Sequence, residues 1–154
     1  MANSKNVLLI TGGGSGMGRE AARRFAAEGA TVALFDVNTA GMAETIGTFD
    51  SIHSWTVDMT DFSAVCAAVR AVEEKLGPVE RLYNCAAIMP FGLLVEQDNA
   101  IIHKQMAINY GGLVNITQAV LPGMLQRGHG DFVSFASMAA IIPMLYSGGY
   151  TASK

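Results

Sequence analysis

The chain has 154 residues, 51% of them apolar, so it is long enough for one domain with a sizeable core and too apolar for a disordered segment. Its net charge of −3, with no basic stripe, argues against a nucleic-acid surface. The longest early apolar run, "VLLI", is too short for a membrane span or a signal core, so no membrane association is expected and the cytoplasm is the default location.

In chain order, Asn6–Thr11 reads as a buried strand and Gly16–Glu28 as a helix with Ala22, Phe25 and Ala26 on one face. Gly29 stands where a helix-ending glycine belongs. Thr31–Asp36 is a second strand, Thr39–Gly47 a short helix and Ile52–Val57 a third strand. Asp61–Leu76 is a helix, with Asp61 as its cap and Gly77–Pro78 as its stop. Arg81–Asn84 lies in a fourth strand. Asn99–Gln126 is a long helical stretch that Gly111–Gly112 and Pro122 should bend, and Asp131–Ala136 is a fifth strand. Strands alternating with helices predict a parallel sheet with helices on both faces. No linker or internal repeat divides the chain, so residues 1–154 read as a single domain.

The two cysteines, Cys66 and Cys85, have no metal-binding spacing, and His53, His103 and His129 lie far apart, so no metal site is expected. The chemistry-bearing stretch is "LLITGGGSGMGREAARRF", a glycine cluster between a strand and a helix. Glycine lets the backbone turn tightly and come close to a phosphate, while the helix start offers unpaired N–H groups to a pyrophosphate. The pattern is TGxxxGxG, with Thr11, Gly12, Gly16 and Gly18, and Ser15 and Met17 lie within it. Asp36 closes the second strand, where a carboxylate accepts hydrogen bonds from both hydroxyls of an adenine ribose and repels a 2′-phosphate. No Arg or Lys stands at Ser15, Val37 or Asn38, so NAD is favoured over NADP. Asp58, followed by Met59, either contacts adenine or caps the next helix, two readings that the residues alone leave even.

TGGGSGMG, Asp36, Asp58, "NCAA" at Asn84–Ala87, Asn109, Ser137, Tyr150 and Lys154 stand in the order seen in short-chain dehydrogenases/reductases, and the chain resembles that family along its whole length. The resemblance implies a Rossmann-type α/β fold: three layers, with a doubly wound parallel sheet. It implies an oxidoreductase that moves a hydride between a nicotinamide coenzyme and an alcohol or carbonyl. Cofactor contacts are implied for Gly12, Ser15, Gly16, Met17, Gly18, Asp36, Asp58, Met59, Asn84, Ala86, Tyr150 and Lys154. Tyr150 would exchange a proton with the substrate oxygen, and Ser137 would hydrogen-bond the same oxygen. Lys154 would hold the nicotinamide ribose and favour the phenolate, and Asn109 would bind a water in a proton relay.

Two departures stand out. Ala87 replaces a glycine that the family usually has beside the nicotinamide, and family members run on past Lys154 through a sixth strand, a substrate lid and a seventh strand. The chain is therefore expected to be an N-terminal portion with about five strands of the sheet. Isolated helices shorter than about 12–15 residues are marginal, so local structure alone should not hold Tyr150 over Lys154. A C-terminal carboxylate would also weaken the lysine's pull, so the 154-residue chain is expected to be nearly inactive, or a non-catalytic NAD-binding or partner-dependent module. The apolar stretches "AIMPF" and Met138–Tyr146 suggest a hydrophobic alcohol or ketone as substrate, and the family commonly forms homo-oligomers.

Overall fold

In the computed structural model, which describes residues 7–142 and 144–154, the first strand, β1, is Val7–Thr11. Asn6, expected to begin it, lies outside the described residues, as does Pro143 of the second apolar stretch. The chain continues through α1 (Gly16–Ala27), β2 (Thr31–Asp36), α2 (Thr39–Ile46), β3 (Ile52–Thr56), α3 (Phe62–Leu76) and β4 (Val79–Asn84). Then come α4 (Asn99–Met106), a π-helical turn (Ala107–Gly111), α5 (Gly112–Arg127), β5 (Asp131–Ser134) and α6 (Gly148–Ser153).

All five strands are parallel, in the order β3-β2-β1-β4-β5. Side chains alternate across a strand, and this sequence puts apolar residues on both faces. Val7 and Leu9 of β1, with Ala33 and Phe35 of β2, pack against Val65, Val69 and Val72 of α3 and Ile116, Val120 and Met124 of α5. Leu8 and Ile10, with Val32 and Leu34, pack against Ala22 and Ala26 of α1 and Met42 of α2. The fold is thus a three-layer, doubly wound α/β sandwich, as the alternation of elements predicts.

Helix ends follow local chemistry. The Asp61 carboxylate accepts from the Ala64 N–H and caps α3, and the Asn38 side chain accepts from the Gly41 N–H to cap α2. Gly29 lies at φ 91°, Gly77 at φ 112° and Gly128 at φ 76°, conformations that favour glycine and end α1, α3 and α5.

The structure trims β3 and β5, which stop at Thr56 and Ser134 short of the expected Val57 and Ala136, and adds detail elsewhere, with Arg81–Asn84 lying in the fourth strand as expected. β4 begins at Val79, because Val79 pairs with Val7 across a register shift. The long helix after residue 98 is two α-helices separated by the π turn, while α5 runs on through Pro122. A short 3-10 turn, Met138–Ala140, opens the apolar stretch after β5.

Candidate active site

The glycine turn joins β1 to α1 at the carboxyl ends of the strands. Gly12 adopts φ 69°, and its N–H donates to the Phe35 carbonyl at 2.8 Å. A Cβ on Gly12 would lie 2.8 Å from the Ala86 nitrogen, and one on Gly18 would collide with the Gly12 carbonyl, so both glycines are needed for close backbone approach. Gly16, at φ 50°, has open space where a Cβ would point. Ser15 precedes α1 without spending its hydroxyl on the helix. The start of α1 therefore keeps its free N–H groups and its positive dipole end.

The turn is braced by Thr11, already part of the TGxxxGxG pattern, and by Thr45 and Arg19, which the sequence reading did not single out. The buried Thr11 hydroxyl donates to Asn84 Oδ1 at 2.7 Å and accepts from the Ala86 N–H at 3.1 Å. Thr45, also buried, donates to the Gly13 and Gly41 carbonyls. Arg19 donates to Thr45 Oγ1 and to the Gly14 carbonyl and pairs with Glu44 at 2.9 Å. A hydroxyl at the end of a buried strand, facing an asparagine at the end of its neighbour, was the available clue for Thr11; nothing in the local pattern marks Thr45.

Asp36 ends β2 half-buried. Its Oδ2 accepts from the Gly14 N–H at 2.8 Å and its Oδ1 from the Asn38 N–H at 2.9 Å. Each carboxylate oxygen has a second lone pair, so the group shapes the turn and still has capacity to accept from a ligand. Asp58 accepts from both the N–H and the hydroxyl of Thr60, and these bonds, with a smaller contribution from the Lys104 charge, hold its carboxyl below the ordinary range against the opposing cost of burial. The cap of α3 is Asp61, which removes helix capping as the role of Asp58. Met59 is buried, with its carbonyl bonded by Asn115 Nδ2 at 2.8 Å.

A cleft of about 450 Å³ runs from the glycine turn past Asp36 and Asp58 to Tyr150. Gly12, Ser15, Gly16, Met17, Gly18, Asp36, Asp58, Met59, Ala86 and Tyr150 all line it. Of the expected cofactor residues, Asn84 and Lys154 do not. The Asn84 side chain is turned to Thr11, which ties β4 to β1 beneath the cleft. Ala87, Ile88, Met89 and Ile108 form much of the wall toward Tyr150. Cys85 also lines this cleft, and burial pushes its thiol up to about 11 against the pull of the Lys154 charge. It is protonated at neutral pH, which makes it a poor nucleophile.

Asn109 occupies the middle of the π turn, buried, with Oδ1 accepting from the Ile88 N–H and Nδ2 donating to the Ile88 carbonyl and to Ser153 Oγ. Lys154 Nζ donates to the Phe135 carbonyl at 2.7 Å and stands 5.9 Å from the centre of the Tyr150 ring. The six-residue α6 thus forms, but its seat comes from contacts with Asn109 and Phe135, distant in sequence, and not from helix propensity. The Ser137 hydroxyl accepts from the Ala139 N–H and caps the 3-10 turn, outside the residues lining the cleft. Among the described residues no group of acidic, His and Cys side chains is arranged to hold a metal ion, and no helix is long and apolar enough to cross a membrane.

A glycine turn in close backbone contact, a helix start and a strand-end carboxylate lining one cleft together have the chemistry to fit a dinucleotide. Comparison with known proteins agrees. The family model for short chain dehydrogenases matches residues 6–154. A 2-keto-3-deoxy-L-fuconate dehydrogenase of Xanthomonas campestris pv. campestris is 35% identical over 134 residues, 87% of this chain and 43% of the relative. A 2-dehydro-3-deoxy-L-rhamnonate dehydrogenase (NAD(+)) of a Sphingomonas species is 35% identical over 147 residues, 95% of this chain and 59% of the relative. An NAD+-bound xylitol dehydrogenase superposes with a TM-score of 0.92 at 26% identity, covering all of this chain and 61% of the other. An actinorhodin polyketide ketoreductase with NADPH gives 0.92 at 31%, covering 99% and 61%. The chain spans about half the length of the curated relatives it matches, 43% and 59% for the two dehydrogenases above. On its glycine turn, its sheet and these matches, the chain belongs to the short-chain dehydrogenase/reductase family of oxidoreductases.

Proposed function

We propose that residues 1–154 form one NAD-binding domain of an oxidoreductase acting on an alcohol or carbonyl, and that this chain alone turns over poorly. The observation that carries the reading is the continuous cleft from the glycine turn to Tyr150. Gly12, Ser15, Gly16, Met17 and Gly18 would seat the pyrophosphate, Asp36 the adenine ribose, Asp58 and Met59 the adenine, and Asn84 would support the turn through Thr11. Ala86, which lines the cleft, would lie beside the nicotinamide. Bound nicotinamide coenzyme supplies or accepts the hydride.

Tyr150 gives its hydroxyl proton to the substrate oxygen during reduction and takes one during oxidation. Lys154 would hold positive charge beside the phenol and the ribose, and Ser137 would donate to the substrate oxygen. Asn109 spends its side chain on Ile88 and Ser153, so a relay role for it falls to its backbone carbonyl. Low turnover is favoured by two observations: the Lys154 ammonium is drawn to the Phe135 carbonyl, and Ser137 caps a local turn. These same bonds are what a second reading, a non-catalytic NAD-binding module, would require.

NAD is preferred over NADP because the Asp36 carboxylate repels a 2′-phosphate. The name of the rhamnonate dehydrogenase points the same way. The exposed Met89, Phe91, Met138 and Met144 favour a hydrophobic substrate, and a cytoplasmic homo-oligomer is the form proposed for the whole protein.

Titration calorimetry with NAD+ and NADP+ tests this. NAD+ should bind at least tenfold tighter, and Asp36→Ala should abolish that preference. NADH oxidation with a panel of carbonyls should be slow. Equal affinity for both coenzymes would refute the role of Asp36, and fast turnover would refute the low activity of the chain.

A further inference from the structure

Two segments that line the cleft are joined by a buried polar link: the loop after β4, through Ile88, and α6, through Tyr150. Between them lie Gln105, Asn109 and Ser153, which are 1%, 4% and 9% exposed. Asn109 grips the Ile88 backbone at both polar atoms, accepting at 2.8 Å and donating at 2.9 Å. Because the Ile88 N–H must donate, the orientation of the Asn109 amide is fixed, and its second amide proton reaches Ser153 Oγ at 2.8 Å. The one proton of the Ser153 hydroxyl goes to the Tyr150 carbonyl at 2.9 Å. Gln105 Nε2 adds a bond to the Ile88 carbonyl at 3.2 Å, and a Cβ on Gly149 would come within 2.5 Å of Gln105 Oε1, so α6 sits directly against α4.

We propose that Ser153 is a positioning residue for Tyr150. Its hydroxyl relays the fixed orientation of Asn109 to α6 and sets where the Tyr150 phenol stands relative to Ile88. Gln105 is the second member of this link. The inference rests on Tyr150 being the group that faces the substrate. It explains why a six-residue helix can present that side chain in one pose: the helix is oriented by a buried hydrogen-bond chain anchored on the π turn.

The test is NMR of the 154-residue chain carrying ¹³Cζ-labelled tyrosine. The sequence has four tyrosines, and Tyr150→Phe identifies the Tyr150 resonance. Ser153→Ala should move that resonance while Tyr83, within β4, stays in place, and Ser153→Thr should bring it back. Val72→Ala, a core change on α3, serves as the control for general loosening and should leave it unmoved. Should Ser153→Ala fail to fold, Gln105→Ala should displace the same resonance in the same way. An unmoved Tyr150 resonance in the folded variant, or a displacement that Val72→Ala reproduces, overturns the proposal. Added NAD+ separates this outcome from the reading of the cleft. If the wild-type chain ignores NAD+ while Ser153→Ala still displaces Tyr150 selectively, the coenzyme reading fails and the link stands. If NAD+ shifts wild-type resonances but Ser153→Ala leaves Tyr150 alone, the link fails and the coenzyme reading stands.

Discussion

The glycine-turn half of the molecule and the half that carries Tyr150 are built to different standards. In the first, β1 is wholly buried, and Gly13 and Gly14 of the turn are bonded to Thr45, Arg19 and Asp36. In the second, β5 is mostly exposed, and Ile141, Leu145 and Tyr146 lie open to solvent. Tyr146 even adopts φ 64°, strained for a tyrosine, with its carbonyl accepting from the Gly92 N–H at 2.9 Å. That bond joins the two apolar stretches, one after β4 and one after β5. The geometry of the glycine turn is therefore fixed by a packed core, while the Tyr150 end rests on a few specific hydrogen bonds.

Substitutions can break this contrast, and the largest effect belongs to the packed half. Phe35, fully buried in β2 with its ring 6.3 Å from that of Trp55, should cost about 3–5 kcal/mol when changed to Ala, read by urea denaturation. A loss below about 1 kcal/mol would mean that the core is not packed as described. Thr11→Val keeps the shape but leaves Asn84 Oδ1 and the Ala86 N–H without their partner, so a loss of about 2–3 kcal/mol is expected, together with weaker NAD+ binding.

The thiol at the boundary gives a smaller effect, with a definite sign. Cys85 keeps its proton up to about 11 in the folded chain, whereas an unfolded thiol releases it near ~8.5. Between these values the native state binds more protons, so stability should fall as pH rises, and Cys85→Ala should flatten that slope. Alkylation of Cys85 by iodoacetamide should be slow at neutral pH. The smallest effect belongs to the open half: Leu145, 84% exposed, should tolerate Ser within about 0.5 kcal/mol while the chain becomes more soluble. A cooperative loss there comparable to Phe35→Ala would erase the distinction between the halves.

Much of the fold was legible because the signals were local. Apolar runs gave the central strands, the β2 limits from Thr31 to Asp36 were read to the residue, and Asp61 was recognised as a cap. The glycine turn was legible as a cluster, and at Gly12 and Gly18 a Cβ would meet backbone. What was missed depends on contacts between distant residues. Thr45 reaches Gly13 across 32 positions, and Asn109 reaches Ser153 across 44, so neither partner marks the other in the chain. The π turn was hidden as well, since an extra residue in a helix leaves its apolar pattern almost intact. Asp58 could not be settled because its partner, Thr60, competes with the helix start for the same short stretch.

Asp36 carries a lesson for anyone who would redesign coenzyme choice. Its two oxygens already hold the Gly14 and Asn38 amides, so the carboxylate is structural masonry as well as the selector proposed above. Exchanging it for a neutral or basic side chain would loosen the loop proposed to receive the phosphates. A successful swap of preference in this scaffold would need a compensating acceptor for Gly14, introduced in the same step.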